Sequence, residues 1–104
     1  MTCRLLTVEM MPADCHQALG LVTATCCISK SFIGDFAANV KNWSIGGELP
    51  GYTALIDQSL QVTRERLGAN AEAMGAKAVI GLRISTTQVS QGAVELIVYG
   101  TAVC

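Results

Sequence analysis

The sequence predicts an α+β fold in which one long helix and one shorter helix pack on a mainly antiparallel sheet. Three observations predict it: strand-like runs occupy both ends of the chain, apolar residues recur at helical spacing between them, and glycine or proline separates the segments. Helices grouped between runs of strands are typical of α+β domains. Because 104 residues suffice for one hydrophobic core, we expect a single domain over residues 1–104.

Two strands are predicted ahead of the helices. Residues 4–10 begin with two leucines, then alternate loosely, and end before Pro12, which favours a short strand. Residues 17–28 carry no charge and are rich in Val, Thr and Ile. This composition predicts a strand that is either buried on both faces or placed in a subunit interface.

Both helices are predicted from apolar residues that recur every three or four positions. The shorter helix covers about residues 31–43 and the longer one covers 52–74. The stripe of the longer helix that should face the sheet consists of Ile56, Leu60, Thr63, Leu67, Ala71 and Met74. Gly75 follows the last residue of this stripe, the position where a glycine commonly ends a helix.

The end of the chain predicts a β-hairpin. Residues 78–84 are mostly apolar and form the first predicted arm, and Ser90-Gln91-Gly92 is typical of a turn. Residues 94–103 alternate Val94, Leu96 and Val98 with Glu95, Ile97 and Tyr99, so they form the predicted second arm.

Charged residues are scarce. The chain is 51% hydrophobic and only 14% charged, against about a quarter charged in an ordinary soluble domain. Because these few charged residues cannot cover the surface of a domain of this size, we expect part of that surface to be buried in contacts between copies of the chain. The net charge of −1 and the lack of clustered cations exclude nucleic acid as a partner.

The sequence predicts a cytoplasmic protein with no membrane partner, because its apolar stretches do not fit a signal peptide or a membrane span. The apolar stretch behind Arg4 is interrupted at Glu9 and Pro12, too early for the core of a signal peptide. The longest uncharged stretches contain Gln, Ser and Thr and fall short of the about 20 apolar residues that span a bilayer.

Five cysteines are present, and a reducing cytoplasm favours free thiols for Cys3, Cys15, Cys26, Cys27 and Cys104. Cys26 and Cys27 are adjacent on a predicted strand, so they point to opposite faces and cannot bind one ion within a single chain. In a symmetric ring, copies of one of them could converge on a soft metal ion such as zinc or copper. The alternative is that both are buried and act as small hydrophobic residues.

Cys15 and His16 form a second candidate metal site, because thiolate and imidazole are ligands of zinc and copper. Two donors do not complete such a site, and the alternative is a solvated loop after Pro12. The same histidine lies outside every predicted strand and helix, and spacing alone brings no two carboxylates together for acid and base roles. We therefore expect no enzymatic activity.

Several motifs together resemble the YbjQ-like family, small bacterial and archaeal proteins described as heavy-metal-binding. The resemblance covers about residues 18–103 and rests on Gly20-Leu21-Val22-Thr23, Asp35-Phe36, Gly46-Gly47-Glu48-Leu49 with Gly51-Tyr52-Thr53, residues 75–83, and residues 93–95 with 99–103. It implies a dodecin-like subunit assembled into a homopentameric ring. Ala54 and Leu60 stand where relatives usually carry Glu and Arg, so any polar site built there in relatives is impaired here.

The function expected from these features is a cytoplasmic homo-oligomer that binds a soft metal ion or a small ligand at an intersubunit site. Phe36, Trp43 and Tyr52 flank the glycine-rich loop and could line a crevice for a planar ligand such as flavin, although such aromatic residues more often belong to a core. The alternative function is an oligomeric scaffold that binds a protein partner and no metal.

Overall fold

The computed structural model describes residues 3–29, 50–90 and 93–104, apart from the side chains of residues 29, 50–53, 88–90 and 93–94. In these ranges the chain forms β1 (Arg4–Leu5), β2 (Ala18–Ser29), α1 (Pro50–Ala73), β3 (Ala78–Ser90) and β4 (Ala93–Val103). The α+β class is confirmed. The shorter helix predicted over residues 31–43, with the aromatic residues Phe36 and Trp43, lies outside the described residues.

The strands form one four-stranded sheet in the order β1-β3-β4-β2. β4 pairs antiparallel with both β2 and β3, so the predicted hairpin is confirmed, and β1 pairs parallel with β3. β1 is much shorter than the predicted strand over residues 4–10. The reason is a bulge in β3: Gly81 has a φ of 61° and donates its N–H to Val8 O, so the first segment follows the bulge instead of the ladder.

The helix α1 begins at Pro50, two residues earlier than predicted, and proline suits this position because a first-turn residue needs no N–H donor. Its end follows the prediction. Gly75 has a φ of 89°, its N–H donates to Glu72 O, and the N–H of Ala76 donates to Ala71 O, which is a Schellman motif. Within the described ranges, no helix combines the length and the apolar character needed to cross a membrane.

The core lies between α1 and the sheet, where the helix packs mainly on β2 and β4. The buried stripe of α1 recurs at every fourth residue and consists of Leu55, Ser59, Thr63, Leu67 and Ala71. The predicted stripe is wrong at its ends, because Ile56 is 50% and Met74 39% exposed. Residues spaced four apart rotate slowly around the helix axis, so the buried stripe can follow the twist of the sheet. A stripe predicted from the apolar residues alone does not include this rotation.

A second apolar cluster covers one end of the opposite sheet face. It consists of Cys15, Ala78, Ile80 and Val103, with Leu6 and Met11 packed against it. The segment before β2 is joined to β1 by a salt bridge, in which Arg4 Nη2 donates to both carboxylate oxygens of Asp14 at 2.7 and 2.8 Å. This hydrogen bond and the positive charge of Arg4 lower the pKa of Asp14, and the pKa of Arg4 is raised in return. The remainder of that sheet face has no cover within the described residues.

Candidate functional site

The uncovered part of the sheet is the candidate functional surface. We call it the open face, and it consists of Leu21, Thr23, Thr25 and Cys27 of β2 with Glu95, Ile97 and Tyr99 of β4. Of the two alternatives predicted for β2, burial on both faces is not what the described residues show: Val22, Ala24 and Ile28 face α1 and are buried, but the alternate residues are exposed. A place in a subunit interface stays a prediction. A strand buries both faces only when a layer lies on each side, and α1 supplies only one.

The two adjacent cysteines lie on opposite sides of the sheet, as the alternation of a strand requires. Cys26 is half-buried and faces α1, where it borders a small cavity of about 170 Å³ together with Leu55, Ser59 and Val62. Cys27 also contributes to the lining of this cavity. Cys27 is exposed on the open face. Only Cys27 is therefore available to a ligand that approaches the open face.

Glu95 accompanies Cys27 on the open face, because the two residues lie directly opposite each other in the ladder of β2 and β4. Such cross-strand pairs place their Cβ atoms about 5 Å apart. Each chain therefore presents one thiol and one carboxylate side by side. The sequence alone did not identify Glu95, since it depends on the register of β2 against β4, strands that are distant in the chain.

Cys15 and His16 do not form a shared site. Cys15 is only 4% exposed and belongs to the second apolar cluster, so the prediction of a solvated loop is wrong for this residue, whereas His16 is exposed. Cys104 is held in place, because its backbone exchanges two hydrogen bonds with Gln17. Among the described residues, no group of three or more Cys, His, Asp or Glu side chains could hold a metal ion.

Cys3 is buried beside the helix, where its backbone N–H donates to Glu72 Oε1 at 2.9 Å. Burial and the nearby negative charge of Glu72 raise the pKa of the Cys3 thiol above its ordinary value of 9.0. A low-pKa thiolate is needed for a cysteine nucleophile or for easy metal binding, so Cys3 suits neither role.

We expect this thiol to make stability fall at alkaline pH. A raised folded pKa means that the stabilisation is complete below the unfolded pKa and is lost as the pH rises through the folded pKa. Urea unfolding between about pH 8 and 10.5 should therefore show a steeper loss of stability for the native sequence than for Cys3→Ala. Equal slopes for the two proteins would contradict the assignment.

Residues 4–104 match the model of the YbjQ family, whose description is "Putative heavy-metal-binding". The chain belongs to this family. A protein of the UPF0145 group from Hahella chejuensis is 48% identical over 97 residues, with 92% of each chain covered. Another from Thermus thermophilus is 40% identical over 98 residues, covering 93% of this chain and 85% of that protein.

One further relative is longer than this chain, and one solved structure has a similar fold. A UPF0145 protein of Psychrobacter arcticus is 44% identical over 99% of this chain, but the chain spans only 65% of that longer protein. A crystal structure of a protein of unknown function from Pediococcus pentosaceus, assigned to the DUF74 family, has a TM-score of 0.64 and 17% identity, covering 97% of this chain and 95% of that one. This structural similarity supports the fold of the subunit.

Proposed function

We propose that this YbjQ-family protein is a non-catalytic, cytoplasmic homo-oligomer that binds a zinc or copper ion between its subunits, through Cys27 and Glu95. The observation that carries the proposal is the pairing of an exposed thiol with a carboxylate on an uncovered sheet face. One chain supplies two donors there, and a structural zinc site needs four, so a complete site requires a second copy.

Self-association is supported by the composition of the open face. Leu21 is 71% exposed and Tyr99 39% exposed, and threonines and half-buried Ile97 accompany them on the open face. The charged residues on this side of the sheet are Glu95 and, opposite Tyr99 on β3, Arg83. Apolar side chains grouped on one side of a sheet usually pack against another layer. The resemblance to the YbjQ family suggests the size of the assembly, a pentameric ring in which this layer comes from neighbouring subunits.

The metal is chosen by the chemistry of the donor pair. Zinc accepts thiolate and carboxylate ligands together, and copies of Cys27 and Glu95 that converge on the axis of the ring would supply the four donors that it needs. Copper(I) prefers thiolates and has little use for a carboxylate. No catalytic role is assigned, because the exposed His16 precedes β2 and is not one of the residues of the open face.

The adjacent cysteines provide a matched test. Zinc binding to the purified oligomer, followed by native mass spectrometry and by competition with a chromophoric chelator, should be lost in Cys27→Ser and kept in Cys26→Ser. The expected loss exceeds the about 10- to 100-fold weakening that follows removal of a hydrogen-bonded partner of a metal ligand. Glu95→Gln should weaken zinc binding strongly but leave copper(I) binding nearly unchanged.

The outcomes separate the parts of the proposal. Equal zinc binding by Cys26→Ser and Cys27→Ser would reject the site, and a monomer at micromolar concentration would reject the assembly. An oligomer that binds neither zinc nor copper(I) would favour the alternative function, a scaffold for a protein partner.

A further inference from the structure

Among the described strands, β2 lies at one edge of the sheet, and its backbone groups alternate between β4 and the outside. Lys77 N–H donates to Val103 O, so the odd-numbered residues of β4 bond to β3. The even-numbered residues of β4 therefore bond to β2, where they lie opposite Val22 and Ala24. By alternation, the N–H and C=O groups of Thr23 and Thr25 point away from the sheet.

Two side chains of α1 bond to these outward carbonyls. Arg66 Nη1 donates to Thr25 O at 3.0 Å and Asn70 Nδ2 donates to Thr23 O at 2.9 Å. The spacings match, since one helical turn of four residues advances about 6 Å and two residues of a strand advance about 6.6 Å. Two side chains of α1 therefore form hydrogen bonds to successive outward carbonyls along the edge of β2.

We infer that Arg66 and Asn70 close the edge of β2 to strand addition, so that copies of this chain cannot join edge to edge. An uncharged edge strand of 12 residues is a ready template for pairing with another copy. A strand added here would have to displace both side chains and bring its own N–H groups to the carbonyls that they occupy. Association is thereby directed away from this edge, whichever other surface is used.

The other edge of the sheet is treated in the same way, which supports the inference. β1 is only two residues long, and the N–H of the preceding Cys3 donates to Glu72 Oε1. Short edge strands and side chains that occupy edge groups are the devices by which proteins avoid edge pairing. Both edges thus receive polar side chains from the same helix.

The test removes the bonded side chains and compares the result with a matched variant. Arg66→Ala with Asn70→Ala should form species larger than the native assembly in sedimentation, at concentrations where the native protein does not. Gln61→Ala with Arg64→Ala removes the same two chemical groups from exposed positions of α1 whose described hydrogen bonds do not reach β2. This control should keep the native size; equal growth of both variants, or of neither, overturns the inference.

A rescue substitution makes the test specific to the edge. Thr25→Pro removes an outward N–H that β4 does not use, and proline at such a position blocks pairing with a further strand. Added to the Arg66→Ala and Asn70→Ala variant, it should return the size to that of the native assembly. Persistent large species would show that the added association does not use this edge, and would overturn the inference.

Hydrogen exchange tests the inference on the native sequence, so the result does not depend on whether a variant folds. In the native assembly, the amides of Thr23 and Thr25 should exchange at least about 100-fold faster than those of Val22 and Ala24, which bond to β4. Equal protection of all four amides would mean that another strand pairs with this edge, which overturns the inference even if the oligomer and its metal site are correct.

Discussion

Gly100→Ala should lower the free energy of unfolding by about 3 kcal/mol, at the upper end of what overpacking a core costs. Gly100 lies in the central strand β4, opposite the bulge of β3. A Cβ at this position would lie 2.6 Å from Val79 Cγ1 and 2.9 Å from Ile80 O. Because one of these atoms is backbone, the strands themselves would have to separate. Chemical denaturation measures the effect.

Gly68→Ala is the matched control for this prediction. Gly68 lies inside α1, and a Cβ there would meet no atom within 4 Å apart from its chain neighbours and the backbone of the helix itself. Alanine is favoured over glycine in a helix by about 0.5 to 1 kcal/mol, so this variant should be more stable than the native protein. A stability loss of similar size in both variants would contradict the close packing assigned to Gly100.

Leu67→Ala should lower the free energy of unfolding by about 2 to 5 kcal/mol. Leu67 is fully buried between α1 and the sheet, in a cluster that also contains Val79, Val98 and Ala102. The surrounding side chains of a packed core relax only partly into the space that a leucine leaves, so a cavity should remain. A loss of this size is a large part of the about 5 to 15 kcal/mol that stabilises a typical domain.

Leu67→Met separates the cavity from the mere change of side chain. Methionine has nearly the volume of leucine, and such swaps usually cost less than about 1.5 kcal/mol. Thermal and urea unfolding of the two variants should therefore differ clearly. Similar losses for both would mean that the shape of Leu67, rather than the volume that it fills, determines its contribution.

Local signals predicted the elements best. The end of α1 at Gly75 follows from the need for a left-handed residue after the last helical turn, and the β3–β4 hairpin follows from alternation within neighbouring segments. The stripe of α1 was predicted less well, because Ile56 is apolar yet exposed while Ser59 and Thr63 are buried. Thr63 tolerates burial since its hydroxyl donates to Ser59 O at 2.6 Å.

The candidate site was predictable only in part. Alternation along a strand placed Cys26 and Cys27 on opposite faces, but it could not decide which of them faces the helix. It also could not identify Glu95, because the register that sets it beside Cys27 joins residues 68 positions apart in the chain. Cys15 was expected in solvent and is buried, because the segment before β2 folds over the back of the sheet.

The sequence by itself determined four features: the scarcity of charge, the α+β class, the hairpin and the end of the long helix. Each of them depends on composition or on residues close together in the chain. The tertiary structure alone decided which face of β2 is open, that Glu95 accompanies Cys27, and that Arg66 and Asn70 reach the carbonyls of its edge. These features depend on strand register and on the position of α1 over the sheet, which are set by packing between segments distant in sequence.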